Sequence, residues 1–330
     1  MSGLPRTVDR IRGTGWDASA LPSGMKGKWM KKNGLKKNDL ILTLILLPGL
    51  VYFIINNYMP MAGIFMAFKK VNFLQGIWAS PWCGLDNFKF LFATDDAWEI
   101  TRNTIFYNLA FIIFGTAMAI MIAILMNEIG RFAIAKLIQP ALLFPYLLSM
   151  VIVAYVVYAF LNSETGFINN SILGGEGPRW YSEAKYWPVI LTIVYLWKSA
   201  GYQSIVYMAG IAGIDKSIYE AAKVDGASKL KQIFSITLPM LKPTIIIMCL
   251  MAIGKIFNSD FGLFLQVPMN SGMLYSTTQT IDTYVYRALM ELNDVSMSSA
   301  ASVFQAVIGF SLVLISNLIV RKIDKDSALF

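Results

Sequence analysis

The chain has 330 residues, 56% of them hydrophobic and only 15% charged, where an ordinary soluble domain carries roughly 25% charged residues; a bilayer is therefore its expected solvent. The formal charge of +8 does not describe a nucleic-acid surface, because Lys and Arg cluster beside apolar runs and do not line one soluble face. The absence of histidine excludes His-ligated metals and Ser-His or Cys-His nucleophile pairs, and no G-x-x-x-x-G-K-[ST] loop is present to cradle ATP.

In chain order, a basic tail over residues 1–39, rich in Gly, Lys and Ser, precedes the first apolar run at 40–58. No small-x-small cleavage site follows Tyr58, so this run is expected to stay attached as a span and not to act as a signal peptide. Five further runs reach the about 20 residues needed to cross the hydrocarbon core: 105–126, 137–161, 187–208, 244–267 and 301–320. The expected architecture is an all-α integral membrane protein with a six-span domain over 40–330. Cys83 falls in a connection and Cys249 inside a span, so both are expected as free thiols.

Orientation follows from the basic residues near the span ends. The tail, Arg131 and Lys136, the group Lys216, Lys223, Lys229, Lys231 and Lys242, and the C-terminal Arg321, Lys322 and Lys325 fall on one face. That asymmetry predicts both termini in the cytoplasm. The opposite connections, from Phe73 to Asn103, around Gly174-Gly175-Glu176-Gly177-Pro178, and from Val267 to Ser298, are richer in turn formers. They either contact an extracytoplasmic partner or simply join helices.

The most informative stretch lies in the cytoplasmic loop over 210–242: Ser217-Ile218-Tyr219-Glu220-Ala221-Ala222-Lys223-Val224-Asp225-Gly226-Ala227, continuing to Phe234-Ser235-Ile236-Thr237-Leu238-Pro239. It reads as two short helices hinged at glycine. Ser217 and Glu220 have the spacing of a capping box, Asp225-Gly226 supplies a turn that tolerates positive φ, and Pro239 and Pro243 are expected to stop the second helix before the fifth span.

Mid-span charges cost ~2.5–3.5 kcal/mol each on insertion scales and face a cavity or a partner helix. Lys198 and Lys255 fall near the midplane, and Asp260 lies in the outer half of the fifth span. Lys255, Asn258, Ser259 and Gly262 recur at helical spacing, which predicts one polar face turned into the bundle. With Tyr195, Gln203 and Phe261 they offer hydrogen-bonding groups beside aromatic platforms, a combination suited to sugars, which are polyols with apolar ring faces. For the aromatics the alternative is lipid contact or helix packing. For Lys255 and Asp260 it is a structural ion pair with Lys198 or with a partner chain.

The full spacing of Glu220, Ala221, Ala222, Gly226, Ile236, Leu238 and Pro239 resembles the Glu-Ala-Ala signature of membrane subunits of binding-protein-dependent ABC importers. Leu47-Pro48-Gly49, Gly84-Leu85-Asp86-Asn87-Phe88, the run from Gly254 to Leu263 and that from Ile281 to Arg287 look like the LplB-like polysaccharide branch of the maltose-type sugar permeases. The resemblance implies a type I ABC importer permease fold and carbohydrate import across the bacterial cytoplasmic membrane. Glu220, Ala221, Ala222, Asp225 and Gly226 would then couple to an ATPase, while Tyr195, Lys198, Gln203, Lys255, Asn258, Asp260 and Phe261 would line the substrate path. It also implies a second homologous permease, two ATPase subunits that hold ATP and magnesium, and an extracytoplasmic sugar-binding lipoprotein, with no cofactor on this chain and no nucleic acid. A secondary transporter and a membrane-embedded glycan enzyme are the rival readings; the first leaves the loop signature unexplained, and for the second Asp95-Asp96 has no metal ligands beside it in sequence.

Overall fold

The computed structural model describes residues 37–89, 95–129, 135–323 and 328. The basic tail over 1–36, Arg131 and Lys325, which carry part of the charge asymmetry, lie outside the described residues. The chain divides into two compact units, meeting between Ala62 and Gly63. In the first, α1 (Lys37–Phe53) runs into a π turn at Ile54–Tyr58 and a last turn at Met59–Met61. Apolar side chains on every side of this helix leave it without a polar face, the mark of a helix meant for lipid.

The second unit is organised around two parallel helices, α2 (Asp95–Ile129) and α5 (Trp187–Ala212), which pack along most of their length. At one end Tyr107 and Phe111 meet Trp187, Leu191 and Val194; toward the other, Ala119 and Ala123 give room for Tyr207, Ile211 and Leu241. Small residues facing large ones let the two backbones approach, which supplies the packing that replaces the hydrophobic effect between helices in lipid.

Among the described residues, five helical runs are long and apolar enough to cross a membrane: Leu42–Phe68, Ala97–Ile129, Ala184–Ala212, Lys229–Ile253 and Val295–Lys322. The sixth is not the single rod expected over 137–161. It is a pair, α3 (Ala135–Leu147) and α4 (Met150–Leu161), bent by 96°. Pro140 and Pro145 withhold N–H groups from α3, and Ser149 starts α4 afresh by accepting from the Ile152 N–H at 3.4 Å.

The fifth span is also displaced from its expected bounds of 244–267. Helix α7 (Lys229–Ile253) begins before Pro239 and Pro243 and passes through both, so the expectation that they stop a helix is wrong. Pro239 lies two residues beyond the end of a π turn at Ile233–Thr237, closed by the Leu238 N–H on the Ile233 carbonyl. A local change of pitch absorbs the missing donor and the helix continues. Beyond Ile253 the chain breaks, resumes as α8 (Phe261–Gln266), and forms α9 (Ile281–Leu292) inside what the sequence shows as a connection. Thr280 and Thr283 cap α9 reciprocally, and Asn293, at φ 53°, ends it. The last helix, α10 (Val295–Ile323), is tied at its start to a loop after the first span, where Ser296 accepts from the Val71 N–H at 2.9 Å. Cys83 and Cys249 are free thiols.

Candidate functional site

Three residues after α5 ends, α6 (Lys216–Val224) begins. Its N-cap is Asp215, not the expected Ser217–Glu220 box: Asp215 sits in extended backbone and accepts from the Ser217 N–H at 2.9 Å. That backbone hydrogen bond holds the Asp215 carboxyl below the usual carboxylate range. At the other end the Ala227 N–H reaches the Ala222 carbonyl at 2.8 Å and the Gly226 N–H reaches that of Lys223 at 3.1 Å, the paired bonds of a Schellman stop. This stop requires a left-handed residue, and Gly226 has φ +76°. A Cβ added there would meet nothing within 4 Å, so the demand for glycine is one of backbone conformation alone.

Ser228 then caps α7 by accepting from the Lys231 N–H, and Gln232 donates to the Ala227 carbonyl at 2.9 Å. Tyr219 and Thr237 hydroxyls meet at 2.9 Å, anchoring α6 to the π turn of α7. Lys229 pairs with Glu128 at 2.8 Å, which brings the ends of α2 and α7 to this same face. Glu220, Ala221, Asp225 and Gly226 are exposed and Ala222 is half-buried. Val224 is 88% exposed and Leu230 68%. The elbow thus presents small and apolar side chains outward.

At the far end of α7 the chain turns irregularly over residues 254–260. Irregular backbone at membrane depth survives only where its polar groups find partners or line a water-filled path, and here three elements supply them. Asn108 of α2 donates to the Ile256 and Asn258 carbonyls at 3.0 and 2.9 Å. Gln305 of α10 donates to the Phe257 carbonyl at 2.6 Å. Asp282 of α9 accepts from the Ser259 N–H and hydroxyl at 2.6 and 2.8 Å. Gly309 of α10 lies so near that a Cβ on it would sit 2.5 Å from the Gly254 carbonyl. Asp260 then starts α8 by accepting from the Leu263 N–H at 3.1 Å.

The expected polar stripe of Lys255, Asn258, Ser259 and Gly262 therefore shares no helical face, because the helix ends before it. The break does leave Lys255, Asn258 and Asp260 exposed together along one short segment, with Phe261 edge-on to Tyr286 at 4.7 Å immediately after. Among the described residues Lys255 belongs to no ion pair. Asp260 is near enough to act electrostatically on both Tyr195 and Lys198, though it forms no ion pair with Lys198 within the described residues. Tyr195 stacks on Phe111 at 3.9 Å and accepts from the Gln203 amide at 3.0 Å.

Lys198 faces elsewhere. Only 8% exposed, its ammonium donates to the carbonyls of Pro145 at 3.3 Å, Tyr146 at 3.0 Å and Leu148, all at the bend of the third span. The two interruptions meet, since a Cβ on Gly262 would sit 2.8 Å from Met150 Cγ, and Val153 of α4 shares a core with Leu263 and Phe264 of α8. Sequence reasoning missed Asn108, Asp215, Asp282 and Gln305. Their signal was faint: Asp282 follows Thr280 at a helix start, and the density of polar and small residues over 254–260 marked a break as well as it marked a face.

The residues 112–326 match the family model described as binding-protein-dependent transport system inner membrane component. The chain is 33% identical to protein LplB of Bacillus subtilis (strain 168) over 94% of its own length and 96% of that protein's. It is 32% identical to the polygalacturonan/rhamnogalacturonan transport system permease protein YteP of the same strain, covering 86% and 89%. A crystal structure of a bacterial ABC transporter involved in the import of the acidic polysaccharide alginate matches with TM-score 0.78 and 33% identity over 87% of this chain and 97% of that one. A second, of the bacterial alginate ABC transporter in complex with an alginate pentasaccharide-bound periplasmic protein, matches with TM-score 0.77 and 32% identity over 88% and 96%. The fold is that of type I ABC importer permeases, and the relatives are transport permeases, not enzymes. The chain belongs to the family of inner-membrane components of binding-protein-dependent transport systems.

Proposed function

We propose that this chain is the translocating subunit of an ATP-driven importer of oligosaccharides, working in the bacterial cytoplasmic membrane with both termini in the cytoplasm. Its partners in this reading are a second homologous permease, two ATPase subunits and an extracytoplasmic sugar-binding lipoprotein. ATP and magnesium belong to the ATPases, and this chain holds no cofactor. The observation that carries the reading is the elbow: a short helix with an exposed small-residue face, fixed by a glycine stop between two long spans. Closure of the ATPases pushes α6, and α5 and α7, joined to it within a few residues, carry the displacement to the middle of the membrane.

The sugar meets the break in the fifth span. Lys255, Asn258 and Asp260 supply donors and acceptors, Phe261 an apolar edge, and Tyr195 and Gln203 a bonded wall from α5. The exposed ammonium of Lys255 favours sugar units that bear a carboxylate, and the names of the relatives that move alginate and polygalacturonan support a chain of such units as cargo. A tagged chain purified in mild detergent is expected to bring down an ATPase, and Gly226→Asp is expected to lose that ATPase while staying in the membrane. An ATPase yield unchanged by Gly226→Asp would contradict the reading.

A further inference from the structure

We propose that Lys198 is a positioning residue that fastens the elbow-side arm of the bent third span to α5, so that the bend moves with the elbow. Helix α3 ends at Leu147 with carbonyls that no later helical N–H can reach, and these also carry the negative end of the helix dipole. The Lys198 ammonium has three donors and gives them to two of these carbonyls, of Pro145 and Tyr146, and to that of Leu148 just past the helix end. The ring of Tyr146, stacked on Tyr202 of α5 at 4.1 Å, covers the ammonium from 5.8 Å.

One turn further along, Gly201 lies so close to the Leu142 carbonyl that no Cβ would fit between them. Two contacts a turn apart on α5 thus hold α3 at Leu142 and the end of the helix at Pro145 to Leu148. Helix α5 reaches α6 through Gly213, Ile214 and Asp215, with Ile214 buried. Motion at α6 therefore reaches the bend through rigid parts. The bend in turn adjoins the break, through Met150 and Gly262. A neutral side chain in place of Lys198 would remove the ammonium from these carbonyls, leaving that of Pro145 to the Leu148 N–H, and let the bend relax independently of α5.

This inference rests on the reading of α6 as the ATPase-docking helix, and both can be tested in the complete transport complex in proteoliposomes. Spin labels on exposed Leu137 of α3 and Val206 of α5 are expected to keep their separation between nucleotide-free and ATP-bound states; a change in separation overturns the rigid pair even if no Lys198 variant assembles. Lys198→Met is expected to retain at least half of the ATP hydrolysis while sugar moved per ATP falls at least tenfold, and Lys198→Arg is expected to restore the ratio. An unchanged ratio in Lys198→Met, or a parallel fall of hydrolysis and uptake, overturns the proposal. Uptake by the unaltered complex that ignores ATP contradicts the import reading itself, which is a separate outcome.

Discussion

The elbow at Gly226 and the break over residues 254–260 both interrupt helix, but they are stitched differently. The elbow closes almost entirely on itself: its caps and stop join residues 215 to 232, all neighbours in sequence. The break closes on itself only in part, through the Lys255, Ile256 and Asn258 N–H groups on the carbonyls of Ala252, Ile253 and Lys255, while its carbonyls at 256–258 and the Ser259 N–H are held by Asn108, Asp282 and Gln305 from three other helices. A locally closed element can shift as a unit when a partner pushes it. An element held from outside changes shape whenever those helices move, as the proposed sugar site would require.

Separate substitutions should therefore break the two regions in different ways. The largest effect belongs to Gly226. With φ at +76°, a Cβ there costs about 1–2 kcal/mol of backbone strain, so Gly226→Ala should weaken ATPase docking, and Gly226→Asp, which also puts a negative charge on the exposed docking face, should abolish coupled hydrolysis, read by ATPase pull-down and by sugar-stimulated phosphate release. Next is Asp282→Ala, which removes the acceptor for both Ser259 bonds. At about 1.5–3 kcal/mol for a hydrogen bond to a charged group, the break should loosen; ATPase pull-down should be unchanged while sugar stimulation falls, and hydrogen exchange should rise over 254–260 only.

A smaller effect is expected at Lys255. Lys255→Met should raise the half-saturating concentration of a uronate oligosaccharide on the order of tenfold, about 1.4 kcal/mol, and leave a neutral oligosaccharide unaffected; equal effects on both would remove the charge argument. The smallest belongs to Asp215. Its folded carboxyl is depressed by the Ser217 N–H, so its contribution is present above the ordinary aspartate pKa of roughly 3.9 and is lost as pH falls through the lower folded value. Between pH 6 and 8, taken as roughly the working range, the elbow should show no pH dependence from this group, while Asp215→Ala should speed amide exchange over the first turn of α6 without stopping transport.

The same contrast explains what was legible in the sequence. Gly226 and the helical elbow could be recognised because a Schellman stop and its glycine lie within six residues. The cap was misplaced by two residues because Asp215 and Ser217 are both good caps, and backbone geometry, not residue type, chose between them. The break was drawn as helix because hydropathy over 244–267 averages across it, and the side chains that hold it come from positions about 23 to 150 residues away. The bend at Leu148 was hidden for a similar reason: Pro145 and Ser149 permit it, but its stability depends on Lys198, some fifty residues later. Helix α9 was missed because Thr280 and Thr283 cap it without a charged residue at the usual position.

The most direct test is oligosaccharide accumulation in proteoliposomes that hold this chain with its partner permease, ATPases and binding protein. Uptake should stop when ATP is withdrawn, persist when proton and sodium gradients are collapsed, and be absent with Gly226→Asp. Accumulation that follows the ion gradient and ignores both ATP and the Gly226 substitution would contradict the account.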